Sequence, residues 1–177
     1  RSTPLYSSAA SDVYKRQLIT MAKIHLTTLI NAPVERVFDL SRSINLHRIA
    51  FSSKDEKAIE GITTGLINEN ETVTWQAKHL YKVRKIKTKI TSMNFPDHFI
   101  VQMVHGDFKS FRHEHHFKPI DNGTFLIDII EFESPYGIIG QLTNQLFLTS
   151  YLHQLLLHRN EVIKQYAESS KWKAILI

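Results

Sequence analysis

The chain has 177 residues, 42% of them hydrophobic, with no cysteine and a formal net charge of +5. This length suits one domain with a buried core, and the lack of cysteine excludes a disulfide framework, a thiolate metal site and a cysteine nucleophile. No stretch approaches the eighteen or more consecutive apolar residues of a membrane span, and the N-terminus lacks the apolar core of a signal peptide. We therefore expect a cytoplasmic protein without a transmembrane segment.

The first twenty residues differ from the rest because residues 1–20 are rich in serine and alanine and carry no periodic pattern. We expect residues 1–20 to be a non-native or disordered extension, with Met21 as the natural start, residues 21–168 as one domain and residues 169–177 as a tail. Most of the basic excess lies between Lys78 and Lys89. No nucleic-acid-binding motif accompanies it, so we interpret this segment as a solvated strand face and expect no nucleic-acid partner.

The predicted elements begin with a strand over Met21–Ile30. Asn31-Ala32-Pro33 then ends the strand and offers a helix start with proline near the first helical position. Apolar residues spaced along 34–44 predict two short helices that run to about Ala50, with a break near residues 41–43.

The next hundred residues alternate between strand patterns and turn chemistry, which predicts an antiparallel meander. Six strands are predicted near Lys57–Glu60, Glu71–Leu80, Tyr81–Met93, His98–His105, Lys109–Lys118 and Thr124–Glu133. Ser134-Pro135 then supplies a helix start, and a long helix is predicted from about Tyr136 to Glu168. Its apolar stripe includes Leu142 and Leu146, and a helix of this kind needs a sheet to cover it.

This order of elements has one economical solution, an α+β fold in which a curved antiparallel sheet of about seven strands wraps around the long C-terminal helix, with two short helices after the first strand. Sheet and helix are expected to enclose a pocket. Four stretches carry a resemblance to a known superfamily: residues 31–38, residues 61–79, Phe111–Phe117 and residues 131–137. They resemble the START-like or SRPBCC superfamily with its helix-grip fold, and in particular a bacterial polyketide cyclase-like and coenzyme Q-binding-like subgroup of ligand-binding proteins. Function varies widely on this fold, so the resemblance implies a pocket more than a reaction.

Two predicted strands place histidines on otherwise apolar faces. Alternation puts Trp75 and His79 on one face of the first, and Phe111, His113, His115 and Phe117 on one face of the second. Apolar walls with a few imidazole anchors are the composition of a site for an amphipathic molecule. The ligand-binding residues predicted from this pattern and from the helix stripe are Trp75, His79, Phe111, His113, His115, Phe117, Leu142 and Leu146. A plain reading, in which the aromatic rings are core and the histidines bond to neighbouring strands, stays open.

A metal site is a more specific alternative for the same residues. His113 and His115 can converge from one strand, and His79, Glu131 or Glu133 could supply a third ligand. The sequence cannot place that third ligand, so we favour pocket histidines, no metal and no cofactor. The run from His113 to Phe117 does not match the zinc-protease helix motif.

The function predicted from these patterns is binding, and possibly carriage, of a lipid-, quinone- or polyketide-like small molecule. An enzyme of the cyclase, dehydratase or isomerase kind is the alternative, with His79, His113 or His115 as general acid or base. The sequence contains no nucleophile elbow, phosphate-binding loop or dinucleotide fingerprint, which counts against a hydrolase or a nucleotide-dependent enzyme. An interaction module that uses the tail or the basic strand is a third hypothesis.

Overall fold

The computed structural model describes the backbone of residues 21–134 and 141–176, and the side chains of all of these except 141–145. Two short helices follow the first strand, a run of six strands comes next, and a long helix closes the chain. The elements are β1 (Met21–Ile30), α1 (Val34–Ser41), α2 (Ile44–Ala50), a 3-10 turn (Ser52–Lys54), β2 (Lys57–Gly61), β3 (Thr72–His79), β4 (Lys82–Asn94), β5 (His98–His105), β6 (Ser110–Ile120), β7 (Gly123–Glu133), α3 (Gln141–Ala167) and a second 3-10 turn (Ser170–Ala174).

All seven strands form one antiparallel sheet in the order β1-β7-β6-β5-β4-β3-β2. Strands β2 to β7 are neighbours in chain order, and β1 pairs along its full length with β7. The predicted α+β helix-grip arrangement is confirmed, because a curved sheet, two short helices after the first strand and a long C-terminal helix are all present.

The break between the two short helices has a local cause. The hydroxyl of Ser43 accepts a hydrogen bond from the backbone N–H of Leu46 at 3.2 Å, so Ser43 is the N-cap of α2. An N-cap residue has an extended backbone conformation, and this interrupts the helical path from α1. The predicted break near residues 41–43 lies at this position.

The C-terminal half of helix α3 is bonded to β1. The side chain of Asn160 bonds to Thr28, and the ammonium group of Lys164 bonds to the carbonyl of Leu29, both on β1. Leu156 and Ile163 are buried, whereas Leu146 is 67% exposed, so the buried apolar stripe does not extend to that position. The predicted helix start near Tyr136 lies outside the described residues. None of the described helices has the length and apolar character to cross a membrane.

The interior holds two apolar clusters. The first includes Ile30, Phe38, Phe99, Phe117 and Leu126. Three ring pairs join its phenylalanines, with centroids 5.0 to 5.8 Å apart. Stacked and edge-on aromatic pairs add to the stabilisation that burial supplies.

The second cluster lies at the other end of the same strands and includes Ile24, Ile130, Phe132 and Leu156, with Phe111 half-buried against it. The residues after α3 pack on the first cluster instead. There the guanidinium of Arg36 lies 4.5 Å from the ring centroid of Trp172, a cation–π distance. The tail therefore docks locally.

Two glycines with a left-handed backbone conformation differ in the space that a side chain would have. Gly61 and Gly65 both have φ of 77°, but a Cβ on Gly61 would lie 2.1 Å from the carbonyl oxygen of Thr72, whereas a Cβ on Gly65 would meet nothing within 4 Å. We expect Gly65→Ala to lower the free energy of unfolding by about 1–2 kcal/mol, the cost of the left-handed conformation alone. Gly61→Ala should cost more, because the backbone must also shift. Urea denaturation of both variants measures the difference, and equal losses would contradict the clash.

Candidate functional site

A layer of polar side chains crosses the interior between the two apolar clusters. On β7, Asp128 lies between Leu126 of the first cluster and Ile130 of the second. Strands β1 and β6 and the helix α3 repeat this order of apolar, polar and apolar positions. We call this set the polar layer; its members are Thr28 on β1, His113 and His115 on β6, Asp128 on β7, and Arg159 and Asn160 on α3.

Asp128 is the centre of the polar layer and is fully buried. Nε2–H of His113 donates to Oδ1 at 2.8 Å, and the side-chain amide of Asn160 donates to Oδ2 at 2.7 Å. The guanidinium of Arg159 lies 3.8 Å from Oδ1 and donates to the backbone carbonyl of Ser41 at 2.8 Å. A buried carboxylate needs such partners, since an unpaired one is strongly disfavoured.

His115 is buried but less well satisfied than His113. Its Nδ1 lies 2.7 Å from Oδ1 of Asp128, yet the two atoms lack the orientation of a hydrogen bond, and Nδ1 has no hydrogen-bond partner. The His115 ring lies between two others, with centroids 4.3 Å from Phe99 and 3.8 Å from His113. Packing therefore fixes this imidazole, and one of its nitrogens lacks a bond.

The charges in the polar layer follow from burial and from these contacts. Burial raises the pKa of Asp128, but the hydrogen bond from His113, the close contact with His115 and the charge interactions with both rings outweigh it and hold the pKa well below its usual range. Burial lowers the pKa of His113, against the effect of Asp128. The pKa of His115 lies well below its usual value because burial, His113 and Arg159 all lower it. At neutral pH the layer thus holds one carboxylate, one guanidinium and two neutral imidazoles.

A second polar group lies beside the layer and is built around Glu56. Nε2–H of His47 donates to Oε1 of Glu56 at 2.6 Å, and Nε2 of His79 lies 3.9 Å from Oε2. Nδ1 of His79 is hydrogen-bonded to the hydroxyl of Tyr151 on α3 at 2.7 Å. The ring of His47 also packs 4.2 Å from that of Trp75. We call these four polar residues the Glu56 group: His47, Glu56, His79 and Tyr151.

The two polar groups are close to each other. A positive charge on His47 would lower the pKa of His113, and His47 and Arg159, one from each group, line one narrow crevice together with apolar residues of α1, α2 and α3. The two polar groups are therefore neighbours at the packed contact between the helices and the sheet.

The predicted site residues fall into three sets. Trp75, His113, His115 and Phe117 are buried, and His79 and Phe111 are half-buried, all on inward faces of β3 and β6. The structure thus brings His113 and His115 together, whereas His79 lies in the Glu56 group and Phe117 in the first apolar cluster. The exposed Leu146 lies outside both, and the side chain of Leu142 lies outside the described residues. Their roles in binding stay predictions.

Two of the residues predicted as a third metal ligand, Glu131 and Glu133, do not face His113 and His115, so the prediction is wrong for them. Glu131 and Glu133 lie on the outer face of β7, where they pair with Lys23 and Lys109. Asp128, three and five residues earlier, is on the inner face. Alternation along Thr124–Phe132 could have identified it, because Asp128 is the acidic member of an otherwise apolar or hydroxyl-bearing face.

The pH dependence of stability gives a test of the Glu56 group. Burial lowers the pKa of His79; the charges of Lys54 and Arg84 lower it further, and Glu56 raises it. Because the folded-state pKa lies below the unfolded value of about 6.5, the unfolded chain binds more protons in acid, and His79 reduces stability as the pH falls below about 6.5. We expect the unfolding free energy of His79→Gln to fall less steeply between pH 7 and pH 5 than that of the wild type. Equal slopes in chemical denaturation would contradict this.

Comparison with solved structures places the fold among known ones. The di-domain ARO/CYC StfQ from the steffimycin biosynthetic pathway superposes with a TM-score of 0.73 at 8% identity, over 91% of this chain and 56% of that one. Zhui aromatase/cyclase from Streptomyces sp. R1128 gives 0.67 at 10% identity, over 84% and 94% of the two chains. Major latex-like protein 151 from Panax ginseng gives 0.63 at 17% identity, over 85% and 99%.

The sequence matches no family model, and a search of curated proteins finds no match. The structural similarities therefore carry the comparison, and at these low identities they concern the fold. The chain shares the helix-grip fold of these three structures.

Proposed function

We propose that the protein binds one hydrophobic or amphipathic small molecule, lipid-, quinone- or polyketide-like, in its interior between the sheet and α3. One observation carries the proposal: the inward face of the sheet combines aromatic rings with neutral imidazoles, and Phe111 and His79 on that face keep part of their surface accessible. Interior positions that are only half-buried are where a ligand can complete the packing.

The chemistry of this face defines the kind of ligand. The rings of Phe111 and Trp75 offer apolar contact, which favours aliphatic or aromatic groups. One ring nitrogen of His79 is bonded to Tyr151 and one of His113 to Asp128. Each neutral imidazole therefore has a single nitrogen left, which suits a hydroxyl or phenol better than a fully ionised head group. The proposed ligand thus has an apolar body and a short polar end.

The structural neighbours lend support of a general kind. StfQ and Zhui are named as aromatase/cyclases, and a chain with the same fold can use the same interior space for a molecule of comparable character. Because fold does not fix function, the proposal depends on the side chains of this chain and needs its own test.

Binding can be measured with 8-anilinonaphthalene-1-sulfonate (ANS), which has an aromatic body and a polar end. The chain contains two tryptophans, Trp75 and Trp172, so Trp172→Phe leaves Trp75 as the only indole donor. We expect saturable energy transfer from Trp75 to one bound ANS molecule. A titration without saturation would contradict an interior site near Trp75.

Phe111→Ala gives the matched test of the binding face. We expect a loss of ANS affinity of about tenfold, because a half-buried ring of this size contributes roughly 1.5–3 kcal/mol of apolar burial when it is fully covered. Ile120→Ala on the same strand is the control, since Ile120 is exposed and lies far along β6. Equal affinities for the two variants would remove Phe111 from the site.

A second candidate function, acid–base catalysis, is favoured by the Glu56 group. Tyr151 is hydrogen-bonded to His79, and the carboxylate of Glu56 lies 3.9 Å from the other nitrogen of the same ring. The lowered pKa of His79, which burial causes, keeps this imidazole neutral and able to act as a base at neutral pH. Proton–deuterium exchange at the α-carbon of 2-tetralone, followed by NMR in D₂O, tests this. We expect faster exchange with the wild type than with His79→Ala at equal ANS affinity, and equal exchange rates would exclude the catalytic role of His79.

A further inference from the structure

We propose that His113, His115 and Asp128 bind one divalent transition metal ion through two imidazole nitrogens and one carboxylate oxygen. This site does not depend on the binding of an organic ligand. It also reverses the expectation from the sequence, in which a third ligand for His113 and His115 could not be placed and no metal was favoured.

The backbone brings the three ligand groups together. His115 lies directly opposite Asp128 in the register of β6 and β7, and His113 lies opposite Ile130, one inward position further along. One ligand atom from each side chain can be chosen so that all three lie within 4.8 Å of one another. Two histidines at alternate positions of one strand and a carboxylate on the next strand thus converge on one point of the interior.

The unpaired nitrogen of His115 is the observation that indicates an ion. Nδ1 is buried, has no hydrogen-bond partner, and lies 2.7 Å from Oδ1 of Asp128 with the wrong orientation for a hydrogen bond. In a metal site, neighbouring ligand atoms about 2.0–2.2 Å from the ion lie roughly 3 Å apart and point at the ion instead of at each other. A cation on the lone pair of Nδ1 would satisfy this nitrogen, and a small separation of the nitrogen from the carboxylate oxygen would let both atoms bind the same ion.

The surroundings of Asp128 fit a ligand role. Asn160 donates to Oδ2 and leaves Oδ1 toward the histidines, as outer residues do when they orient a ligating carboxylate. Arg159 opposes the ion because its positive charge lies 3.8 Å from Oδ1. The hydrogen bond from Arg159 to the carbonyl of Ser41 holds the guanidinium on the helix side of the carboxylate.

The donor set defines the class of metal. Two imidazole nitrogens and one carboxylate oxygen suit zinc or ferrous iron, and the set has too few oxygens for calcium or magnesium. Three protein ligands leave at least one coordination position for water or another small ligand.

The test uses the full chain, stripped with EDTA, dialysed and titrated with Co²⁺ and Zn²⁺. We expect one equivalent of Co²⁺ to bind with visible d–d absorption and one equivalent of Zn²⁺ to displace it. His115→Gln should weaken binding by at least tenfold, the lower end of the effect of losing even an outer-shell partner. The matched control is the double variant His98→Gln with His116→Gln, which removes a pair of stacked imidazoles on β5 and β6, 5.8 Å apart and outside the polar layer.

The result that would overturn the proposal is binding that survives His115→Gln but is lost in the control variant, or no stoichiometric binding at all. Circular dichroism checks that each variant is folded. X-ray absorption at the zinc edge of the wild type is a second measurement that needs no variant: two imidazole ligands support the site, and one or none contradicts it.

Discussion

Asp128→Ala is expected to lower the free energy of unfolding by about 3–5 kcal/mol. The carboxylate is fully buried and receives hydrogen bonds from His113 and Asn160, with the guanidinium of Arg159 3.8 Å away. Its removal leaves a buried positive charge and two buried donors without partners, which costs far more than the same loss at the surface. Urea denaturation in the presence of EDTA measures the effect without any contribution from bound metal.

Glu131→Ala is the control for this loss, because Glu131 is on the outer face of the same strand and pairs with the exposed Lys23 at 3.0 Å. An ion pair of this kind contributes about 0–1 kcal/mol. Similar losses for the two variants would show that the polar layer is not the stabilising network inferred from its contacts.

Phe38→Ala is expected to cost about 3–5 kcal/mol as well, by a different mechanism. Phe38 on α1 is fully buried, and its ring centroid lies 5.0 Å from that of Phe117 and 5.4 Å from that of Phe99. Truncation removes the aromatic contacts that join α1 to β5 and β6 and leaves a cavity in the first apolar cluster. The same denaturation experiment measures this cost.

Phe95→Ala is the matched control, since Phe95 contacts the same ring edge-on at 5.0 Å but is 52% exposed. Its loss removes one aromatic pair, about 0.5–1.5 kcal/mol, and little buried area. If Phe38→Ala were no more destabilising than Phe95→Ala, the first apolar cluster would not be tightly packed around Phe38. The space for a ligand would then be expected in that cluster.

The fold could be predicted because its signals are local and repeated. Strand alternation, the turn residues between strands and the proline at residue 33 each act over a few positions, and every predicted strand agrees with the structure to within two residues at either end. The exposed position of Leu146 could not be predicted, since helical periodicity gives the apolar side of a helix but does not say how far along its length the sheet covers it.

The candidate site could be predicted only in part, because local sequence patterns do not show which residues of different elements come into contact. Alternation places His113 and His115 on one inward face, and it could also have indicated Asp128. The partners from other elements could not be found in this way. Glu56 follows a 3-10 turn, and Tyr151 and Asn160 are on α3, so their contacts with β3 and β7 arise only when helix and sheet pack together.

The polar layer gives the interior a defined set of protonation states. With Asp128 ionised and the two histidines of β6 neutral, the layer keeps a balanced charge and imidazoles that can bind a polar group or a metal ion. A stable network of this kind holds its side chains in fixed positions, which reduces the ordering cost of binding.

Native mass spectrometry of the full chain, as purified and after addition of ANS, tests the proposed interior ligand most directly. We expect a complex of one protein with one small organic molecule that is lost on denaturation, and weaker ANS binding by Phe111→Ala than by Ile120→Ala. The mass of the free protein alone under both conditions would contradict binding in the interior.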